Sequence, residues 1–336
     1  MASHLGYLAA MTGLAAGACV PAPTHRTPPT PVCAAGESAA PAPRSMAAAP
    51  PLYGFWGLNG YITPEGLQQV KSRLGATVFQ VACSDPVYAV TTLLPMVRAA
   101  GLKVTLRLTA DHDAYTTDGN FDLGAWEAGL APWVGSGVQA FVDDGTLVGH
   151  MLLDDIQNFE GRNPDAADLE AMARCSKRLF PGLMTYVREK ASSMPVPTGG
   201  RYLSVDASVN QYEAREGDVT RYAAVQAMRA EALGLGVING LNIADGGDGS
   251  SGRRGYRPGR YAMSASEIGD YGRVLAAVPS CGMFLNWEYD GEERWADGAI
   301  GSRYFDQPKL TEALIGLSRA VASHPPVLLA NVGGAP

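Results

Sequence analysis

From Leu52 to Ser323 the chain keeps one rhythm: a short apolar run of strand length, then a segment with the spacing and end signals of a helix. The strand-like runs fall at 52–62, 76–83, 102–110, 147–156, 182–190, 201–212, 237–245 and 281–290. Helical patterns fall at 63–75, 85–101, 122–142, 164–180, 218–234, 264–278 and 307–323. Only the interval after the fifth strand, 190–200 with its two prolines, reads as a loop. Thr63 stands before Pro64 and Glu65, and that pattern closes on Gly75, which are the start and stop signals of a capped helix. Ser264 and Glu267 have the spacing of a capping box. Strands that alternate with helices pair in parallel through right-handed crossovers. Eight such units predict one closed (β/α)8 barrel. A doubly wound sheet is the alternative, but no GxGxxG follows the first strand.

Length agrees with one barrel. Of 336 residues, a proline- and alanine-rich leader takes the first 51, and the remaining body of about 285 is the usual size of one eight-unit barrel. Residues 5–18 are an apolar run of signal-peptide length that ends in Ala16-Gly17-Ala18-Cys19, a sequence similar to a bacterial lipoprotein cleavage site. The expected organisation is a signal peptide with a lipobox over 1–19 and a disordered linker over 20–51. A TIM-barrel catalytic domain over 52–325 and a tail over 326–336 follow. That arrangement predicts export to the periplasm or cell surface, with membrane attachment through a lipidated Cys19. Cys33, Cys83, Cys175 and Cys281 fit no zinc spacing and read as buried free thiols, although export permits disulfides. A net charge of -7 with scattered Lys and Arg excludes a basic nucleic-acid footprint.

In such barrels the active site lies at the C-terminal ends of the strands. Those positions carry a polar set: Trp56, Asn59 and Tyr61 on the first strand, Arg107 on the third, and Asp154 with Asp155 on the fourth. Arg188 closes the fifth; Asp206 and Gln211 lie on the sixth, Asn242 and Asp245 on the seventh, and Asn286, Trp287 and Glu288 on the eighth. Asp154-Asp155 follows a run that must be buried, and alternation sends one of the two into the mouth; Asp155, further out, is the expected one. Glycoside hydrolysis needs two carboxyl groups across the scissile bond, and strands four and eight face each other across a barrel. Asp155 and Glu288 are the expected principal carboxylates, with Asp154 and Asp206 tuning or replacing them. Trp56, Tyr61, Trp287 and Tyr289 offer flat faces for sugar rings. Asn59, Arg107, Arg188, Gln211, Asn242, Asp245 and Asn286 are candidate holders of substrate hydroxyls.

With GHMLLDDI on its fourth strand and MFLNWEYD on its eighth, the chain resembles the broad superfamily of (β/α)8 glycoside hydrolases. The resemblance implies a glycosidase acting on an oligo- or polysaccharide without a cofactor. The fourth strand carries Asp154-Asp155-Ile156 where the large retaining clan has Asn-Glu-Pro. A layout similar to α-galactosidases would put a nucleophile at Asp155 and an acid at Asp206. Two other readings stay open. One is a surface-anchored carbohydrate-binding barrel without chemistry. The other is a metal-assisted hydrolase using His112, Asp111 and Asp155. The segment 244–255, with Asp245, Asp248 and several glycines, reads as a flexible loop and does not fit the EF-hand pattern.

Overall fold

The protein is described from a computed structural model, which covers Cys33 and residues 50–59, 62–290 and 307–327. The side chains of Asn59, Glu288, Tyr289 and Asp290 are outside that description. So are the leader, Cys19, nearly all of the linker, Tyr61 and the tail from 328 onward.

Eight parallel strands close into a barrel: β1 (Leu52–Asn59), β2 (Val78–Ala82), β3 (Lys103–Arg107), β4 (Leu147–Asp154), β5 (Met184–Arg188), β6 (Ala207–Tyr212), β7 (Gly236–Leu241) and β8 (Cys281–Asp290). Every strand pairs with its sequence neighbours, and β8 pairs with β1. Alternate residues fill the interior, among them Val78, Met151, Met184, Tyr186, Val209, Ile238, Met283 and Leu285. Thr105 and the Tyr186 hydroxyl share a hydrogen bond of 2.8 Å inside it. The closure is tight where β1 meets β2: a Cβ on Gly54 would lie 1.6 Å from the Val78 carbonyl oxygen, so only glycine fits there.

The outer layer follows the sequence signals. Helix α1 (Pro64–Leu74) is capped by the Thr63 hydroxyl and stops on Gly75 at φ 69°. The next stretch runs Pro86–Tyr88, turns π-helical over Ala89–Leu93 and ends as α2 (Leu94–Ala100). Helices α5 (Ala166–Leu179), α6 (Val219–Leu233), α7 (Ala265–Ala276) and α8 (Pro308–Ala322) cover the barrel, and α7 has the expected capping box.

Three expectations need correction. The pattern over 122–142 is not one helix. It breaks into α3 (Leu123–Gly129), a 3₁₀ turn (Ala131–Trp133) and α4 (Gln139–Asp143), because Pro132, Gly135 and Gly137 interrupt it. The sixth strand begins at Ala207 rather than 201, so Asp206 precedes it. Two of the four remaining cysteines are bonded: Cys33 and Cys175 form a disulfide with a Cα–Cα distance of 5.5 Å, while Cys83 and Cys281 stay free and buried. The disulfide fastens a residue of the linker to α5, and the Arg178 guanidinium donates to the Cys33 carbonyl at 3.1 Å.

Trp126 and Trp133 are both fully buried. Their indole N–H groups donate to the carbonyls of Leu152 (3.0 Å) and Leu108 (2.9 Å), tying the segment after β3 to the ends of β3 and β4. The β4–β5 register slips between Met151 and Leu153. Leu152, left over by that bulge, offers its carbonyl to Trp126. The bulge decides where the next two residues aim.

Candidate active site

A cavity of about 410 Å3 opens at the C-terminal ends of β4 to β8. Its walls include Asp154, Asp155, Arg188, Glu189, Gln211, Glu213, Asn242 and Trp287. The β4 bulge sets Asp154 beside Arg188 in register, on the interior face of the barrel. Asp155 then takes φ 50°, a left-handed conformation that costs a non-glycine residue roughly 1 kcal/mol or more. Alternation predicted that one aspartate would leave the pocket. The bulge and the left-handed turn bring both into it.

The two aspartates sit in different fields. The Arg188 guanidinium is ion-paired with Asp154 and lies 3.6 Å from Asp155. Burial works against the charge on Asp154, but Arg188 and Arg107 outweigh it, and its carboxyl titrates below the usual range. At Asp155 the removal of water is the largest influence; Arg188 opposes it, the negative Asp154 adds to it, and the carboxyl is pushed up. Glu189 is pushed up for the same first reason, with Asp155 contributing. The wall formed by β4 and β5 therefore holds an ionised carboxylate beside two that resist ionisation.

Arg188 also stacks 5.3 Å from the Trp56 ring and donates to Gln211 Oε1 at 3.3 Å. Gln211 Nε2 and Trp56 Nε1 are buried with no hydrogen-bond partner among the described residues. Arg107 lies behind Asp154, ion-paired with Asp111.

The adjoining wall centres on Glu213, which follows β6. Burial would raise its carboxyl. The Asn242 amide at 2.7 Å and the guanidiniums of Arg215, Arg260 and Arg257 more than compensate, and it titrates low. Asn242 is thus used within the protein: it donates to Glu213 and accepts from the Asp245 backbone N–H at 2.9 Å. Asp245 lies behind the wall, fully buried, and accepts from Arg257 N at 3.0 Å and Arg257 Nε at 2.7 Å. These bonds, with Gly246 N to the Asn242 carbonyl at 2.7 Å, pin the glycine-rich segment that reads as a flexible loop in the sequence. Trp287 and Tyr256 meet edge-to-face, 6.2 Å apart, and both line the cavity.

Two predicted residues lie elsewhere. Asp206 is at the N-terminal end of its strand, the far end from the cavity. There it accepts from Lys177 Nζ at 2.6 Å and from the Thr185 backbone N–H at 2.8 Å. Asn286 sits between Met283 and Leu285 on one side and Trp287 on the other, all interior, so it faces outward. It donates to the Gly54 carbonyl at 3.3 Å as part of the barrel wall. For Asn59 and Glu288 only the backbone is described. His112 Nε2 bonds to the Asp154 carbonyl at 2.6 Å, and among the described residues it does not share ligand distance with Asp111 and Asp155. Sequence reading missed Glu213 and its arginines. Glu213 stands one residue past the β6 run, and the only signal it carries is Arg215, two residues on.

An eight-stranded parallel barrel with an acid-lined mouth defines the class of fold: a (β/α)8 barrel. No protein-family model matches the chain, and no curated protein matches it. Among solved structures, the catalytic domain of the major endoglucanase from Xanthomonas campestris pv. campestris superposes with a TM-score of 0.50 at 10% identity. The match covers 82% of this chain and 97% of that one. Gas2p of Saccharomyces cerevisiae in complex with laminaripentaose gives 0.47 at 13% identity, over 84% and 66%. D-Psicose 3-epimerase from Clostridium cellulolyticum H10 gives 0.45 at 14% identity, over 81% and 99%. The likeness is one of fold.

Proposed function

We propose that the protein is an exported glycoside hydrolase that cleaves an oligo- or polysaccharide at the barrel mouth. The observation that carries this reading is the pair Asp154 and Asp155, adjacent in sequence, facing one cavity and shifted in opposite directions. Two titratable groups pushed apart in this way are what acid and base roles require. Asp155, whose carboxyl is pushed up from its ordinary value by burial and by the negative Asp154, donates the proton to the leaving oxygen. Ionised Asp154 stabilises the positive charge that develops on the sugar ring. Glu288, at the end of β8, is the second carboxylate that attacks or activates water. Trp287 and Tyr256 support sugar rings, and Gln211 and Arg188 hold hydroxyls. The Cys33–Cys175 bond supports export, since disulfides persist in oxidising compartments. Attachment through a lipidated Cys19 belongs to the same proposal.

The test is reducing-end release from a polysaccharide panel by the wild type, Asp155→Asn, Asp154→Asn and Glu288→Gln. Loss of release in Asp155→Asn with an unchanged circular dichroism spectrum supports the assignment. No release by the wild type across the panel, with sugar binding retained, would leave the carbohydrate-binding barrel as the better reading.

A further inference from the structure

The cavity has a second chemical character that hydrolysis of a neutral sugar does not use. Around Glu213 three guanidiniums, those of Arg215, Arg257 and Arg260, meet two carboxylates, Glu213 and Asp245. Among these five groups three positive charges against two negative leave a surplus of one, and the neighbouring Lys190 and Glu216, paired at 3.1 Å, cancel each other. The surplus is turned toward the cavity. Arg260 is largely covered, at 22% exposure, whereas Arg215 is 60% exposed and Arg257 44%, and the latter two line the pocket.

The way each arginine is held leaves donors over. Arg215 meets Glu213 through Nε at 2.5 Å, which leaves its two terminal nitrogens without an ion-pair partner among the described residues. Arg257 uses Nε on Asp245 at 2.7 Å and reaches Glu213 only at 3.6 Å through one terminal nitrogen. Anchoring by Nε fixes each planar head; among the described residues the terminal edge of Arg215 stays open, and that of Arg257 is met by Glu213 at 3.6 Å through one nitrogen. The terminal edge is a fork matched to two oxygens of one planar anion, a geometry lysine lacks. Full exposure would make these arginines ordinary surface charges. Lining the same cavity as Asp154 and Asp155, they meet whatever sugar occupies it.

We infer that Arg215 and Arg257 form a subsite for the carboxylate of an acidic sugar, so that the substrate is a uronic-acid-containing oligosaccharide. Glu213 and Asp245 act here as positioning residues that hold the two forks. The inference rests on the cavity being a sugar site, as proposed above, and adds the class of sugar. Ion pairing at a partly exposed site weakens with salt, which gives the inference a signature that stacking on Trp287 would lack.

The test is calorimetric binding to the full chain, carrying Asp155→Asn to prevent turnover. The probes are oligosaccharides of four rings: tetragalacturonate, cellotetraose and a sulfated tetrasaccharide. Tetragalacturonate is expected to bind about tenfold or more tighter than cellotetraose at 50 mM salt, with the ratio shrinking toward one at 500 mM. Arg215→Gln and Arg257→Gln should each cut that ratio severalfold, and Arg215→Lys should recover only part of it. Preference for the sulfated probe over the uronate would overturn the carboxylate assignment. Equal binding of acidic and neutral probes, or no binding of either, would overturn the subsite. So would arginine variants that weaken both equally, since that marks structural damage. Acidic-sugar binding without cleavage by the wild type would instead sink the hydrolase and leave the subsite standing.

Discussion

The two ends of the barrel each hold an aspartate paired with a basic side chain, and they do opposite things with it. At the N-terminal end Asp206 is 4% exposed and spends its oxygens on Lys177, the Thr185 backbone N–H and the Thr185 hydroxyl. Nothing is left over for a ligand. At the C-terminal end Arg188 serves two carboxylates at once, and Asp155 is 47% exposed to the cavity. One arrangement closes a fold; the other leaves acceptors facing open space. A charged pair alone marks neither. What separates them is whether the partners exhaust the carboxylate.

That contrast is broken or upheld most sharply by matched substitutions. Asp155→Asn should lower kcat by about 10²–10⁴-fold, the usual worth of a positioned acid, with little change in the urea midpoint. Asp206→Asn should do the reverse: a loss of about 1–3 kcal/mol in stability, because the half-buried Lys177, 23% exposed, loses its counter-charge, with kcat retained in the folded fraction. Urea titration and initial rates on the same preparations decide it. An Asp206 variant of normal stability and no activity would reverse the assignment of the two ends.

Arg188→Gln sharpens the comparison within the mouth itself. Activity needs Asp154 ionised and Asp155 protonated, so the rate is confined between a lowered and a raised pKa. Arg188 favours the charged form of both. Its removal raises both groups, and the whole bell in kcat against pH should move to higher pH. A profile that narrows from one side only would show that a single aspartate governs it.

The barrel was legible because its strand and helix periods are local properties: Thr63, Gly75 and Ser264 signal their ends whatever surrounds them. That Asp154, Asp155, Arg188, Gln211 and Trp287 stand beside the cavity was legible for the same reason, since each lies near the C-terminal end of its strand. What failed was non-local. The bulge at Leu152 depends on Trp126, 26 positions away, and it changes which residues share a face. Asp206 and Asn286 were misplaced by boundary and face, because alternation fixes a side only once the register is known. Glu213 gains its place from Arg257 and Arg260, which approach from the loop after β7. The Cys33–Cys175 pairing spans 142 positions and has no local trace.

A third pair, on the back of β4, extends the comparison to a buried base. His150 is fully buried, its Nδ1 2.8 Å from the Ser176 hydroxyl and its ring stacked 5.9 Å from Trp126. Burial alone pushes its pKa down from 6.5 to about 3. The folded value lies below the unfolded one, so the neutral ring's contribution is intact above about pH 6.5. It is lost as pH falls through the window between the two values. At pH 4.5 that is two units, or about 3 kcal/mol by linkage. Urea midpoints of the wild type should fall between pH 7 and pH 4.5 by that amount beyond the change in His150→Asn, which cannot take up the proton. The variant begins less stable at pH 7 but follows a flatter curve. Parallel curves would mean that the acid sensitivity of the fold resides elsewhere, in the carboxylates of the mouth.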